Sequence, residues 1–332
     1  MMIRKKAGVA LTAALAMSML AACGDDESAD ETAGNDTTEG TEETKGDDTT
    51  DTEGDDTEGD DATGGGSDEE ILIGVPAGWD EGVVVSHMAE IALEEQGYEV
   101  ELMDAEIGVI FTALADGDMD LLLDAWLPVT HANYIEEYGD DIEELGAWYS
   151  DAKLALAVNS DAPITSIDEL AENADVFNNE IIGIDGGAGL TQTTQNETIP
   201  TYGLEGMEYK ISSTAAMLAE LDAAMSEGRD IVVTLWSPHW AYGAYDIRDL
   251  EDPEGTYGGA EEILSYGRAD FTTDYPDVAE MLSNFELTAE ELSDLENYVL
   301  NENADRDTAE TVAEWMEENP EVADRMNVGS AE

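Results

Sequence analysis

Acidic side chains outnumber basic ones 81 to 11, a formal net charge of −70 on 332 residues. No other property narrows so far what this chain can fold into, because like charges at this density oppose a compact state wherever salt does not screen them. The excess is not confined to one segment. Residues 24–70 hold 21 acids and one base, Lys45, and residues 71–332 still hold 60 acids against 7 bases, a net of −53. A folded domain of this charge implies a halophilic source, living at high salt. The same sign of charge excludes nucleic acid and anionic lipid surfaces as direct partners. Calcium binding is another use of dense acids, but no stretch has the aspartate spacing of an EF-hand loop.

The N-terminus indicates the compartment. Arg4, Lys5 and Lys6 precede an apolar run over residues 7–21, which is too short to span a bilayer comfortably and reads as the core of a signal peptide, residues 1–22. The run ends in Leu20-Ala21-Ala22-Cys23, which resembles the bacterial lipobox, where the cysteine is lipidated and becomes the mature N-terminus. The alternative is an ordinary signal peptide followed by a chance cysteine. Cys23 is the only cysteine in the chain, it stands at the required place, and a solvated acidic tract follows it. Lipidation is therefore the expectation, with the protein anchored on the extracytoplasmic face of the cell membrane. A single cysteine also rules out an internal disulfide, so the fold must stand on its apolar core.

Residues 24–70 are almost entirely Gly, Thr, Asp and Glu, with a short repeat, Thr52-Glu-Gly-Asp-Asp and then Thr57-Glu-Gly-Asp-Asp. Such a segment cannot bury apolar area, and as a flexible coil it reaches roughly 40 Å. Residues 23–70 thus read as the lipidated cysteine and a disordered tether.

From residue 71 the pattern becomes α/β. Residues 71–75 read as a buried strand, and Val84, Met88, Ile91 and Ala92 recur at helical spacing before a stop at Gly97. Residues 98–103 alternate as a strand, a short helix covers 109–114, and 121–125 form another buried strand, a succession that suggests a parallel sheet covered by helices. A strand over 153–158 leads through Asp161-Ala-Pro163 into a second unit. There Ser166-Ile-Asp-Glu169 is a capping box that opens a helix, 181–184 is a strand, and Gly186-Gly-Ala-Gly189 is a tight turn with helix from Thr191. A helix over 213–225 carries Ala216, Leu218 and Leu221 among its apolar positions, and 231–235 is a strand. Beyond Pro253 the chain enters a helical C-terminal region, where Thr288-Ala-Glu-Glu291 caps a helix that turns Leu292, Leu295 and Val299 inward. Two α/β units with a late return of the chain imply two lobes and a cleft, and ligands of such sheets bind beyond the carboxyl ends of the strands.

Three tryptophans follow predicted strands: Trp79 in Gly78-Trp-Asp-Glu-Gly82, Trp126 in Asp124-Ala-Trp-Leu-Pro128, and Trp236 in Thr234-Leu-Trp-Ser-Pro-His239. A single tryptophan more often packs than binds, but three at matching strand ends in two units are harder to ascribe to packing. A cleft lined this way suits a cation without donor protons, which π faces hold and hydrogen bonds cannot; each good face contributes about 0.5–2 kcal/mol when desolvated. The glycine turn favours the opposite charge, since the N–H groups of Gly189 and Leu190 would sit at a helix N-terminus. Alone it is a plain strand–helix turn, matching neither GxxxxGK[ST] nor GxGxxG. His131 could donate to a carboxylate or equally cap a helix.

The segments Asp124-Ala-Trp-Leu-Pro-Val-Thr-His131, Ile182-Gly-Ile-Asp-Gly-Gly-Ala-Gly189, Val233-Thr-Leu-Trp-Ser-Pro-His-Trp240 and Tyr245-Asp-Ile-Arg-Asp-Leu-Glu-Asp-Pro253, with the stretch near Gly258-Gly-Ala-Glu261, resemble the signature segments of the glycine betaine/proline betaine binding proteins of ABC importers. The likeness covers essentially all of residues 71–320. It implies a two-lobed type II periplasmic-binding-protein fold with a hinge and an interdomain ligand cleft, lobe I formed by 71–157 and 258–332 and lobe II by 158–257. It further implies that Trp79, Trp126 and Trp236 cage a trimethylammonium group, while the amides of Gly189 and Leu190 and the imidazole of His131 hold a carboxylate. The chain departs from the family at Gly186, where proline is usual, and in the loop before Trp79, which is one residue longer.

The remaining candidates are bland. Trp148, Trp240 and Trp315 read as packing residues, Trp240 being the one of them most expected to border the cleft; His87 lies on a helix and His239 supports its own turn. Three scattered histidines and one cysteine make no metal site, and no cofactor is expected. No GxSxG nucleophile motif occurs, and acid pairs are expected by chance at this composition, so no enzyme activity is assigned. The expected role is capture of a betaine for the permease of an ABC importer. A secreted hydrolase using cleft acids and a tethered sensor are the competing roles. Glycine betaine, proline betaine, carnitine and choline remain open as ligands, with the carboxylate-binding features arguing against choline.

Overall fold

The computed structural model describes residues 70–328. The signal peptide, Cys23 and nearly all of the tether lie outside the described residues.

The first unit forms as its periodicity demands. Strand β1 (Glu70–Pro76) buries Ile71, Ile73 and Val75, and helix α1 (Asp80–Glu95) lays Val84, Val85, Met88, Ala89, Ala92 and Leu93 against the sheet. Ile91, expected on that face, is only partly buried. Gly97 ends the helix with φ +94°, a conformation glycine takes at no steric cost. Strand β2 (Glu99–Ala105), helix α2 (Ile107–Asp116), strand β3 (Leu121–Leu127) and helix α3 (Ala132–Tyr138) follow. β2 sits at the sheet edge with its glutamates outward, whereas β3 is buried along nearly its whole length between two neighbours.

The sheet has nine strands in the order β2-β1-β3-β9-β4-β7-β5-β6, with β8 (Ile247–Asp249) on β4. It is mixed rather than parallel. β1 runs parallel to β2 and β3, and β5 (Glu180–Ile182) runs parallel to β6 (Glu208–Lys210) and β7 (Val232–Ser237). Between these halves lie β4 (Ile142–Asn159) and β9 (Glu261–Arg268), antiparallel to each other. One strand carries the chain out of the first half and the other brings it back, so they run in opposite senses, and β9 is also antiparallel to β3.

β4 extends well before the predicted 153–158. Its residues 142–152 pair with β9 and its residues 153–158 with β7, so the strand changes ladder between Ala152 and Lys153. Three register irregularities and Asp151 at φ +70° precede the change. Bulges of this kind bend a strand, and here they let one strand serve two halves of the molecule.

In the second half the capping box at Ser166 and Glu169 is present, but it opens a 3₁₀ turn, Ile167–Glu169, not an α-helix. The helix after the glycine turn, α4 (Gly189–Thr193), begins two residues earlier than the sequence suggests. The helix Thr214–Glu227 is capped by Ser213 Oγ, which accepts from Ala216 N; it buries Thr214, Met217, Leu221 and Ala224, while Ala216 is exposed. At the C-terminus the Thr288–Glu291 capping box opens the helix Ala289–Glu296, and Leu292, Leu295 and Val299 are buried as expected. Trp148 and Trp315 are packing residues: both are buried, and their indoles donate to Leu123 O at 2.6 Å and Asp294 Oδ2 at 2.8 Å.

Candidate functional site

Three indole rings converge on one cavity. Trp79 precedes the first residue of α1, delivered by a turn in which Gly78 has φ +79°. Trp126 and Trp236 are the penultimate residues of β3 and β7. The cavity is lined by Trp79, Glu81, Trp126 and Thr130 from the first half and by Leu154, Ile184, Leu190 and Trp236 from the second.

Each ring is held by a neighbouring side chain. Trp126 Nε1 donates to Asp124 Oδ1 at 2.8 Å, and Trp236 Nε1 donates to Glu81 Oε2 at 2.9 Å. Trp79 stacks on His131, with centroids 5.5 Å apart and planes 4° from parallel. Rings held in one orientation lose little freedom when they receive a ligand. Their π faces are the attraction a quaternary cation can use.

His131 lies fully buried behind this wall, not in it. Its Nδ1 accepts the backbone N–H of Trp126 at 2.8 Å, which places the proton of the neutral ring on Nε2. Nε2 is buried with no hydrogen-bond partner among the described residues. Burial lowers the imidazole pKa to about 3, so the ring is neutral and keeps one donor.

Leu190 stands in the cavity wall and Gly189 begins α4 beside it. The first N–H groups of a helix have no intrahelical acceptor. A side chain on Gly189 would collide with the backbone carbonyl and side chain of Thr130, so this position brings the two halves together backbone to backbone. The Thr130 loop is held by buried Glu261, which accepts from Val129 N and Thr130 N, each at 2.8 Å, and from Thr130 Oγ1.

Four positions of the wall were not singled out from the sequence. Glu81 had a signal, an acid two residues after a strand-end tryptophan; Thr130, Leu154 and Ile184 are ordinary strand or loop residues without one. Trp240 does not line the cavity; its indole donates to Asp80 Oδ2. His239 does support its own turn, accepting from Ala241 N at 3.1 Å, and His87 on α1 pairs with Glu90 at 2.7 Å.

Beneath the cage lie buried carboxylates. Burial, with Asp124 and Glu296 adding like charge, pushes Glu81 well above the usual carboxylate range. Burial raises Asp124 to about 7, with the Trp126 N–H opposing, and Asp80 to about 6, with the Trp240 N–H opposing. Glu296 is raised for the same reason and by Asp80 and Asp124. Among the described residues no group of three or more His, Cys, Asp or Glu is arranged to hold a metal ion.

A sheet shared by two halves through a switching strand, with a caged cavity at the strand ends, defines a two-lobed type II periplasmic-binding-protein fold. Residues 69–318 match the family described as the substrate-binding domain of ABC-type glycine betaine transport systems, and the chain belongs to that family. It is 38% identical over 178 residues to the glycine betaine/carnitine transport binding protein of Listeria monocytogenes, covering 53% of this chain and 57% of the Listeria protein's own length. Among solved structures it is similar to a lactococcal protein of this family crystallised closed on glycine betaine (28% identity, TM-score 0.72, 78% of this chain and 99% of that one). It is also similar to a glycine/betaine/L-proline-binding protein from Borrelia burgdorferi (29% identity, TM-score 0.73, 78% of this chain and 97% of that one).

Proposed function

We propose that this protein captures glycine betaine or a related quaternary ammonium osmolyte outside the cytoplasm and delivers it to the permease of an ABC importer, without catalysing a reaction. The observation that carries the reading is the cavity itself, in which three indoles from both halves face one space. Trp79, Trp126 and Trp236 surround the trimethylammonium group, and the Gly189 and Leu190 amides with the Nε2–H of His131 take the carboxylate. In this conformation the Trp79 ring covers His131, so its Nε2–H meets the carboxylate only once that ring shifts, whereas Leu190 already stands in the cavity wall.

Lobe I comprises residues 71–152 with the chain from 258 onward and lobe II residues 153–257; the ladder change at Ala152 and Lys153, five residues before the expected boundary, supports a hinge within β4. Cys23 carries the lipid anchor, and residues 24–70 tether the lobes to the membrane.

Calorimetric titration at molar salt with glycine betaine, proline betaine, carnitine and choline tests the ligand. Saturable heat with at least one carboxylate-bearing compound is expected, and silence with all four overturns the reading. Release of the protein from membranes by detergent but not by salt, abolished in Cys23→Ser, tests the anchor.

A further inference from the structure

Glu81 stands in the cavity wall with 1% of its surface exposed, and no lysine or arginine reaches it. Of the seven basic residues beyond residue 70, Lys210, Arg229, Arg268, Arg306 and Arg325 pair with other carboxylates, and Arg248 donates to the carbonyls of Ser160, Ala162 and Ile164. The seventh, Lys153, is exposed. What faces Glu81 instead is acid: Asp124 of β3 and Glu296 at the end of the helix Ala289–Glu296, while Asp80, its neighbour on α1, acts on Glu296 and lies 3.6 Å from His239 Nε2.

The other elements against α1 add no charge to this interior. The helix Thr308–Glu318 turns Thr311, Val312, Trp315 and Met316 inward and leaves its glutamates exposed, as do β1 and β2. In the turn Asp324–Met326, Asp324 is exposed and Arg325 is bonded to Glu291. The two nearby imidazoles, His131 and His239, are buried and neutral. Asp124 Oδ2 has no hydrogen-bond partner among the described residues, and the buried Glu296 carboxyl has at most the backbone N–H of Trp240 beside it.

Buried carboxylates packed this way cannot all be ionised, since each added charge meets desolvation and like charge together. A quaternary ammonium group reverses that balance at Glu81. It brings a permanent positive charge and no donor proton, so the one favourable response open to a neighbouring carboxyl is to ionise. An opposite charge within about 4–6 Å lowers a carboxyl pKa by about 1–3 units.

We propose that this cavity exchanges a proton for its cation: Glu81, backed by Asp124 and Glu296, is a carboxylic acid in the unliganded protein and becomes the counter-ion of the quaternary ammonium group on binding. The O–H bond of Glu81 breaks, both electrons stay on the carboxylate oxygen, and the proton passes to the buffer. Trp236 Nε1 donates to Glu81 Oε2 in either form, so the cage geometry is retained. The proposal rests on the betaine-binding reading and adds to it a linkage between ligand affinity and pH.

The test is calorimetry of the full chain with glycine betaine at pH 7 and molar salt, in phosphate and in Tris, whose ionisation enthalpies differ widely. The difference in apparent binding enthalpy gives the protons released. Roughly half a proton or more per ligand is expected, together with affinity that weakens as pH falls. Two controls locate the effect. The uncharged tert-butyl isostere 3,3-dimethylbutanoate, if it binds, should release none, and Glu81→Gln should still bind betaine, more weakly, with the release lost. Clear binding with the same enthalpy in both buffers overturns the exchange, and full release retained in Glu81→Gln overturns its assignment to this residue. Absence of any betaine heat overturns the betaine reading itself and is recognisable as such. If Glu81→Gln does not fold, the buffer and pH series on the natural chain still decides the exchange.

Discussion

The indole nitrogen of Trp236, at the end of β7, lies 2.9 Å from Glu81 Oε2 in the first turn of α1, 155 residues earlier in the chain. The bond crosses from one half of the molecule to the other at the wall of the cavity. A ring that would hold a ligand's cation is thereby oriented by a carboxylate from the opposite side. Aromatic cage and buried acids are thus one construction, and the consequences for binding, pH response and salt response follow from it.

Trp126→Ala and Trp236→Ala are each expected to weaken glycine betaine binding at least tenfold, about 1.4 kcal/mol. Each substitution removes a π face and also strips a buried carboxylate of its N–H donor. Trp315→Ala removes an equally buried ring remote from the cavity and should lower the melting temperature while leaving affinity unchanged. Titration calorimetry with thermal melts separates the two effects, and unaltered affinity in both cage variants would sink the site.

At the anion end, glycine betaine should bind much more tightly than choline, which lacks the carboxylate. Gly189→Ala tests the same end sterically. Its methyl group would meet the Thr130 carbonyl, so the halves could not approach as they do here. At least a tenfold loss of betaine affinity is expected, because closure brings the cage and the amides onto one ligand. Equal affinities for betaine and choline would remove the carboxylate site from the argument.

The buried titratable groups also predict how stability varies with pH. Asp80 and Asp124 have folded pKa values raised from 3.8 to about 6 and about 7, so the stability they contribute is full at low pH and is lost as pH rises through those values. Glu81 and Glu296, also raised, act in the same direction. His131 and His239 are shifted oppositely, from 6.5 to about 3, so their contribution is present above 6.5 and is lost as pH falls below it. Above about pH 4.5 four carboxyls oppose two imidazoles, so the carboxyl trend wins and the unliganded protein should be most stable at about pH 4–5. Between pH 6 and pH 8 the melting temperature should fall by roughly 3–10 °C. Measured in 2 M NaCl, where surface repulsion is screened, the slope reports the buried groups, and Asp124→Asn should flatten it. A slope unchanged by that substitution would assign the trend to the surface instead.

How much of this was legible in the sequence depends on the range of the interaction. Local signals read well: the apolar stripe of α1, the stop at Gly97, and the capping box at Thr288 and Glu291 arise within a few residues of one another. The three tryptophans stood out because strand ends are where clefts form, and the structure brings them to one cavity. The mixed sheet was missed because strand direction is set by where the chain goes next, which no pattern within β4 or β9 encodes. The capping box at Ser166 does open a helix, but a short 3₁₀ one, since the same bonds close either kind of turn and do not set its type. Leu154 and Ile184 reach the cavity only through β4 changing ladder and the second half folding over the first.

The net of −53 beyond residue 70 makes the last prediction. Seven basic residues cannot neutralise 60 acids, and five of them are already committed to ion pairs with carboxylates. Many remaining carboxylates must lie within about 10 Å of one another, the screening length at 0.1 M salt, which falls to about 3 Å at 1 M. The melting temperature should therefore rise substantially between 0.1 M and 2 M NaCl. Potassium chloride should act much as sodium chloride does if screening is the cause, and sucrose at equal osmolality should not reproduce the effect in full. Betaine affinity should persist at 2 M, because cation–π contacts and a buried counter-charge are poorly reached by salt. A melting curve indifferent to salt would mean that the acidity is no adaptation of folding, and the inference of a salty habitat would fall with it.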